Sequence, residues 1–147
     1  PLDMAHDFRK REDEEELIKR FEESLKKNSA DFFALEDYET IIDHYLDRSK
    51  HKKALIAVEA AMNQYPFSSE LMPLKAQILS NMERYEEALE MLERARNLNP
   101  ADIDIYLSIG SVLSLMGKHK EAIETYEQAL AFADEGEDEL YYNIGLA

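Results

Sequence analysis

Cysteine and tryptophan are absent from the 147 residues, and proline and glycine occur only four times each. The lack of cysteine excludes disulfides, thiol catalysis and cysteine-type zinc sites. It also suits a reducing compartment, so the cytoplasm is the expected location. Scarce proline and glycine leave long stretches without a helix breaker. No apolar run approaches the roughly 18 residues needed to cross a bilayer, so no membrane partner is expected. Cations are few: 17 Lys and Arg stand against 32 Asp and Glu, a net charge of −15. That balance opposes binding to a phosphate backbone, whose affinity comes from Lys and Arg, so no nucleic-acid partner is expected. The sequence contains no Gly-x-Ser-x-Gly, no glycine-rich phosphate loop and no dinucleotide fingerprint. No catalytic residue and no cofactor are expected.

What is abundant is Ala, Leu, Glu and Lys, while Val and Thr are rare. Apolar residues recur at spacings of three and four: Leu17, Phe21, Leu25; Tyr38, Ile41, Ile42, Tyr45; Leu55, Val58, Met62. This is the amphipathic helix pattern, repeated, and no segment alternates as a strand would. The breakers between helices are short: Asn28-Ser29, Ser49-Lys50, Pro66 to Ser69, Asn99-Pro100, Met116 to Lys118 and Asp134 to Gly136. Such short connections predict antiparallel neighbours in an all-α chain.

Three segments align without gaps at a period of 34: residues 35–68, 69–102 and 103–136. Position 20 of the unit reads Ala54, Ala88, Ala122, and position 27 reads Ala61, Ala95, Ala129. Position 4 reads Tyr38, Met72, Tyr106; position 11 reads Tyr45, Leu79, Leu113; position 24 reads Val58, Leu92, Tyr126. Each unit is predicted to be two helices with a tight turn near position 15. Small residues at position 8 (Ala76, Gly110) and position 20 let those helices approach. Alanine at 27 lets the second helix meet the next unit. Pro66 and Pro100 are placed to end second helices. One such pair cannot cover its own apolar face, so the units must stack.

The period and these residues resemble the tetratricopeptide repeat. The resemblance implies a right-handed superhelical solenoid of antiparallel helix pairs. On it, residues 1–13 are expected to be a loosely ordered tail, and 14–34 an N-terminal helix resembling a second helix, with Phe21 and Leu25 in its apolar places. Residues 35–68, 69–102 and 103–137 form three repeats, the last with one inserted residue. Residues 138–147 begin a truncated fourth, with Tyr141 at position 4, Ile144 at 7 and Gly145 at 8. Three departures stand out: Ile42 is bulky at position 8, Lys75 is polar at position 7, and Asp134 replaces the terminating proline.

His51 and His119 share position 17 with Tyr85, a packing register. His44 has Asp43 and Asp47 nearby but no second histidine at ligand spacing, so no metal site is expected. The run Glu12 to Glu16 reads as the start of a helix, where negative charge complements the macrodipole. Met72 and Met91 read as core.

In tetratricopeptide repeats the first helices line a groove for a peptide or partner helix. The resemblance carries that groove onto Glu36, Glu39, Asp43 and Asp47 of the first repeat. It continues with Glu70, Gln77 and Asn81 of the second, Asp104, Ser108 and Ser111 of the third, and Tyr142 and Asn143 of the fourth. Pro73, Leu74, Ser80, Leu107 and Leu115 fall at the same groove positions. A clamp for a C-terminal carboxylate needs cations that are missing there. The groove is acidic first, then rich in amides and hydroxyls, then more apolar. It predicts a protein or peptide partner with a basic segment. The expected role is a non-catalytic interaction scaffold within a longer protein. The alternatives are a regulatory arm of an enzyme and an RNA-binding helical repeat. The lone last helix would expose an apolar face, which predicts self-association.

Overall fold

A computed structural model describes the backbone of residues 2–28 and 31–145 and the side chains of 4–28 and 31–134. Among the described residues there are seven helices and no strand. They are α1 (Leu2–Lys26), α2 (Leu35–Asp47), α3 (His51–Gln64), α4 (Leu71–Asn81), α5 (Tyr85–Leu98), α6 (Ile103–Leu115) and α7 (His119–Gly145). The fold is an all-α solenoid of helix pairs in the order the 34-residue period requires. The chain divides into two units, residues 1–67 and 68–147. In the first, α2 packs against both α1 and α3; in the second, each helix from α4 to α7 packs against the next.

The repeated registers are the cores of these units. Ala54, Ala88 and Ala122 are buried, as are Ala61, Ala95 and Ala129. Tyr38, Met72, Tyr106, Tyr45, Leu79, Leu113, Val58 and Leu92 are buried with them. Met91 is buried too. Helices α3 and α5 stop two residues before Pro66 and Pro100, because the residue preceding a proline is pushed out of the helical region.

The turn inside each repeat is built the same way three times. Ser49, Glu83 and Gly117 all stand at position 15 and all adopt positive φ, at 55°, 60° and 80°. The next residue's N–H then closes back on the helix: Lys50 to Tyr45 O at 2.8 Å, Arg84 to Leu79 O and Lys118 to Leu113 O at 2.9 Å each. This is the left-handed helix stop that glycine performs without a Cβ penalty. Only the third repeat uses glycine. A left-handed L-residue costs roughly 1–2 kcal/mol, and glycine's extra chain entropy returns about half of that. Ser49→Gly and Glu83→Gly are each expected to raise stability by about 0.5–1 kcal/mol. Urea unfolding of each variant against wild type checks this, and a glycine that lowers the midpoint contradicts it.

Both ends differ from expectation. Helix α1 begins at Leu2, so residues 2–13 are helical rather than a loose tail. The segment has no proline or glycine and carries the good helix formers Leu2, Met4, Ala5, Arg9, Lys10, Arg11 and Glu12, so local propensity carries the helix outward although residues 4–13 are exposed. The run Glu12 to Glu16 therefore lies in mid-helix, not at an N-terminus, and the macrodipole does not explain it. At the other end α7 runs unbroken through Asp134, Glu135 and Gly136 to Gly145. Proline costs a helix about 3 kcal/mol but glycine only about 1, so Gly136 without a proline does not stop it. Leu25 also departs: it is 45% exposed, and Ile18 is buried instead.

In the first unit the short segment after α1 is tied down by side chains. Gln64 Nε2 donates to Asp31 O at 2.8 Å, its Oε1 accepts from Phe33 N at 3.2 Å, and Tyr65 Oη donates to Phe33 O at 2.7 Å. That seats the Phe33 ring among Phe21 and Tyr38, at centroid separations of 5.7 and 5.6 Å. In the second unit Asp102 caps α6 through the N–H of Asp104, and Tyr106 Oη donates to Pro100 O at 2.8 Å.

Candidate protein-binding surfaces

Helices α4 and α6 bound a groove of about 630 Å3 in the second unit. Its walls are Glu70, Pro73, Leu74, Gln77, Ser80 and Asn81 from α4 and its approach, and Leu107, Ser108, Ser111 and Leu115 from α6. Ala76, Leu92 and Val112, all buried, also line it. The residues facing out along α4 and α6 recur at three and four because the opposite stripe of each helix holds the core. Five expected groove residues therefore meet here: Glu70, Gln77, Asn81, Ser108 and Ser111. Asp104 does not line the groove; it sits exposed in the first turn of α6. The floor residues Ala76, Leu92 and Val112 were not expected, since their register marks them as core.

Chemically the groove offers hydroxyls, amides and leucines, with one carboxylate, Glu70, at its α4 end and no cation. Leu107 and Leu115, eight residues apart on α6, are both exposed. Such a surface accepts apolar side chains and hydrogen-bonds a backbone or polar residues between them.

The four acidic residues expected in the first repeat lie on α2. Glu36, Asp43 and Asp47 are exposed, and Glu39 is half-buried. None lines a cavity described here. Tyr142 and Asn143 lie in the stretch of α7 whose side chains are outside the description, and Leu146 and Ala147 lie outside the described residues. Ile123 and Leu130 of α7 are exposed, whereas the side chains of the expected self-associating segment, 138–147, lie outside the description.

Other polar contacts pin α1 in the first unit. His44 Nδ1 and Glu14 Oε1 are 3.0 Å apart. Among the described residues no group of three or more His, Asp or Glu could hold a metal ion. The Tyr45 hydroxyl donates to Glu22 Oε1 at 2.8 Å, and Lys53 Nζ lies 3.4 Å from the same oxygen. The tyrosine's bond and the ammonium hold the Glu22 carboxyl below the usual carboxylate range. Burial, and then the carboxylate it faces, push the Tyr45 phenol above its ordinary value. Of the position-17 histidines, His51 is half-buried with its Nδ1 buried and without a hydrogen-bond partner, whereas His119 is exposed rather than packed. No described helix is long and apolar enough to cross a membrane.

Comparison with known proteins bears on residues 68–135 and on the fold. The family model for the tetratricopeptide repeat matches residues 68–135. No curated protein sequence matches the chain. Solved structures of MamA are similar. To MamA 41-end from Desulfovibrio magneticus RS-1 the chain is 19% identical with a TM-score of 0.68, over 90% of this chain and 73% of that one. To a crystal structure of MamA it is 19% identical with a TM-score of 0.64, over 71% of this chain. It spans 61% of that structure's length. At such identities the likeness is one of fold.

Proposed function

Because residues 68–135 are tetratricopeptide repeats, we propose that the chain is a non-catalytic interaction scaffold whose second unit holds a peptide or partner helix between α4 and α6. Repeats of this family serve as protein-interaction modules. The observation that carries the reading is the groove itself: five residues expected from the register line one channel, with leucines at both ends of its α6 wall. The fitting partner has two apolar side chains on one face, uncharged polar residues between them, and a Lys or Arg placed against Glu70. Glu36, Glu39, Asp43 and Asp47 on α2 support a basic partner segment at the first unit. The exposed Ile123 and Leu130 support self-association through α7. A cysteine-free chain suits a reducing compartment such as the cytoplasm.

Selection from a displayed random-peptide library against the whole chain tests this. Enriched peptides are expected to carry paired apolar residues and one terminal cation. Ser111→Arg places a cation in the middle of the groove and is expected to weaken the selected peptides at least tenfold, about 1.4 kcal/mol. Lysine at positions 36, 39, 43 and 47 together is expected to spare them. Peptides that bind Ser111→Arg as well as wild type contradict the groove assignment.

A further inference from the structure

A second surface lies in the first unit, and its chemistry is the reverse of the acidic face of α2. Helices α1 and α3 flank a recess of about 230 Å3 lined by Phe21, Glu22, Leu25, Lys26, Tyr45, Lys53 and Ile56. Phe21 and Tyr45 are buried and form its base. Leu25 and Ile56 are 45% and 47% exposed and form its apolar rim. Singly exposed aliphatic residues are ordinary, but these two share one concavity with two aromatic rings, which makes a contiguous apolar spot.

Cations outnumber acids in the lining of the recess, in a chain whose net charge is −15. Lys26 and Lys53 line the recess. Arg48, Lys50, Lys52 and Lys53 stand within six residues of one another, all exposed. The one acid in the lining, Glu22, is already engaged by the Tyr45 hydroxyl and by Lys53. Lys26 makes no ion pair among the described residues. The volume is below the roughly 300–1,000 Å3 of small-molecule sites, so it suits one or two side chains of a larger partner.

We propose that this recess docks an acidic protein segment, which seats a Leu- or Phe-class side chain between Leu25 and Ile56 and sets a carboxylate against Lys26. The surface is separate from the α4–α6 groove, so the two readings stand or fall independently.

The test uses the whole chain and a short fluorescein-labelled peptide with two leucines one helical turn apart and glutamates elsewhere. The same peptide with lysines in place of glutamates is the control. The glutamate peptide is expected to bind, to weaken as salt is raised, and to lose affinity about tenfold on Lys26→Glu and on Ile56→Asp. Both changes are at exposed positions, and circular dichroism melts confirm that the variants fold. Absence of binding, equal binding to the variants, or equal binding of the lysine peptide overturns the proposal. So does binding to phosphatidylserine vesicles but not to the peptide, which would assign the recess to a lipid surface. A concentration-dependent dimer lost in the variants and not displaced by peptide would assign it to a second copy, and would overturn it likewise.

Discussion

Phe33→Ala is expected to lower the stability of the first unit by about 3–5 kcal/mol, while Phe32→Ala, one residue away, changes it by less than about 0.5 kcal/mol. The two phenylalanines differ in where the chain turns them. Phe33 is 1% exposed and Phe32 is 73% exposed. The Phe33 ring meets Phe21 and Tyr38 edge-on, and Arg20 lies over its face at 4.7 Å from the centroid. Truncation removes the partner of three side chains on two helices and leaves a cavity that α1 cannot collapse into, because Gln64 and Tyr65 fix the backbone on either side. Phe32 meets the Tyr65 ring at 5.8 Å between centroids and is otherwise largely open to solvent. Against total stabilities of about 5–15 kcal/mol, the Phe33 loss is large enough to unfold a unit of this size at moderate temperature. Urea unfolding gives the magnitude. Amide hydrogen exchange gives the location, with protection lost in α1 and α2 before α5 and α6. A Phe33→Ala midpoint near wild type would show that the aromatic cluster does not hold α1.

How much of this was legible in the sequence depends on whether a residue repeats. The buried alanines, the position-4 and position-11 side chains and the tight turn near position 15 recur every 34 residues, and each serves a packing contact that every repeat makes. Such positions can be read from one sequence because the chain states them three times. The groove residues of α4 and α6 came instead from the family resemblance, and five of them line one channel between the two helices. The ends were not legible. Residues 2–13 have no neighbour to reveal their state, and high helix propensity alone extends α1. At Asp134 the missing proline was visible, but a single glycine was too weak to act as the expected stop. The recess between α1 and α3 was invisible for another reason. Leu25 and Ile56 are 31 residues apart, off the period, and only the packing of α1 beside the first repeat brings them together.

The repeat also explains a departure that looked like a defect, and from it follows the second large prediction. In the third repeat position 8 of the first helix meets position 24 of the second, where Gly110 lies against the Tyr126 ring. The three repeats fill the pair with Ile42 and Val58, Ala76 and Leu92, and Gly110 and Tyr126. As the first residue shrinks the second grows, so bulky Ile42 is one end of a volume exchange. The third pair has reached its limit. A Cβ on Gly110 would stand 2.5 Å from Tyr126 Cε1, 2.7 Å from Cζ and 2.8 Å from Cδ1. Those atoms belong to the body of an aromatic ring, so the half-buried Tyr126 side chain must shift to admit a methyl group. Gly110→Ala is therefore expected to destabilise the second unit by about 1–3 kcal/mol, although alanine is the better helix former by about 1 kcal/mol. Adding Tyr126→Leu recreates the Ala76–Leu92 pair of the preceding repeat and is expected to recover most of the loss. A double-mutant cycle in urea measures the coupling, expected at about 1–2 kcal/mol in favour of the double variant. Additive effects would mean that Gly110 is small for a reason other than the tyrosine packed against it.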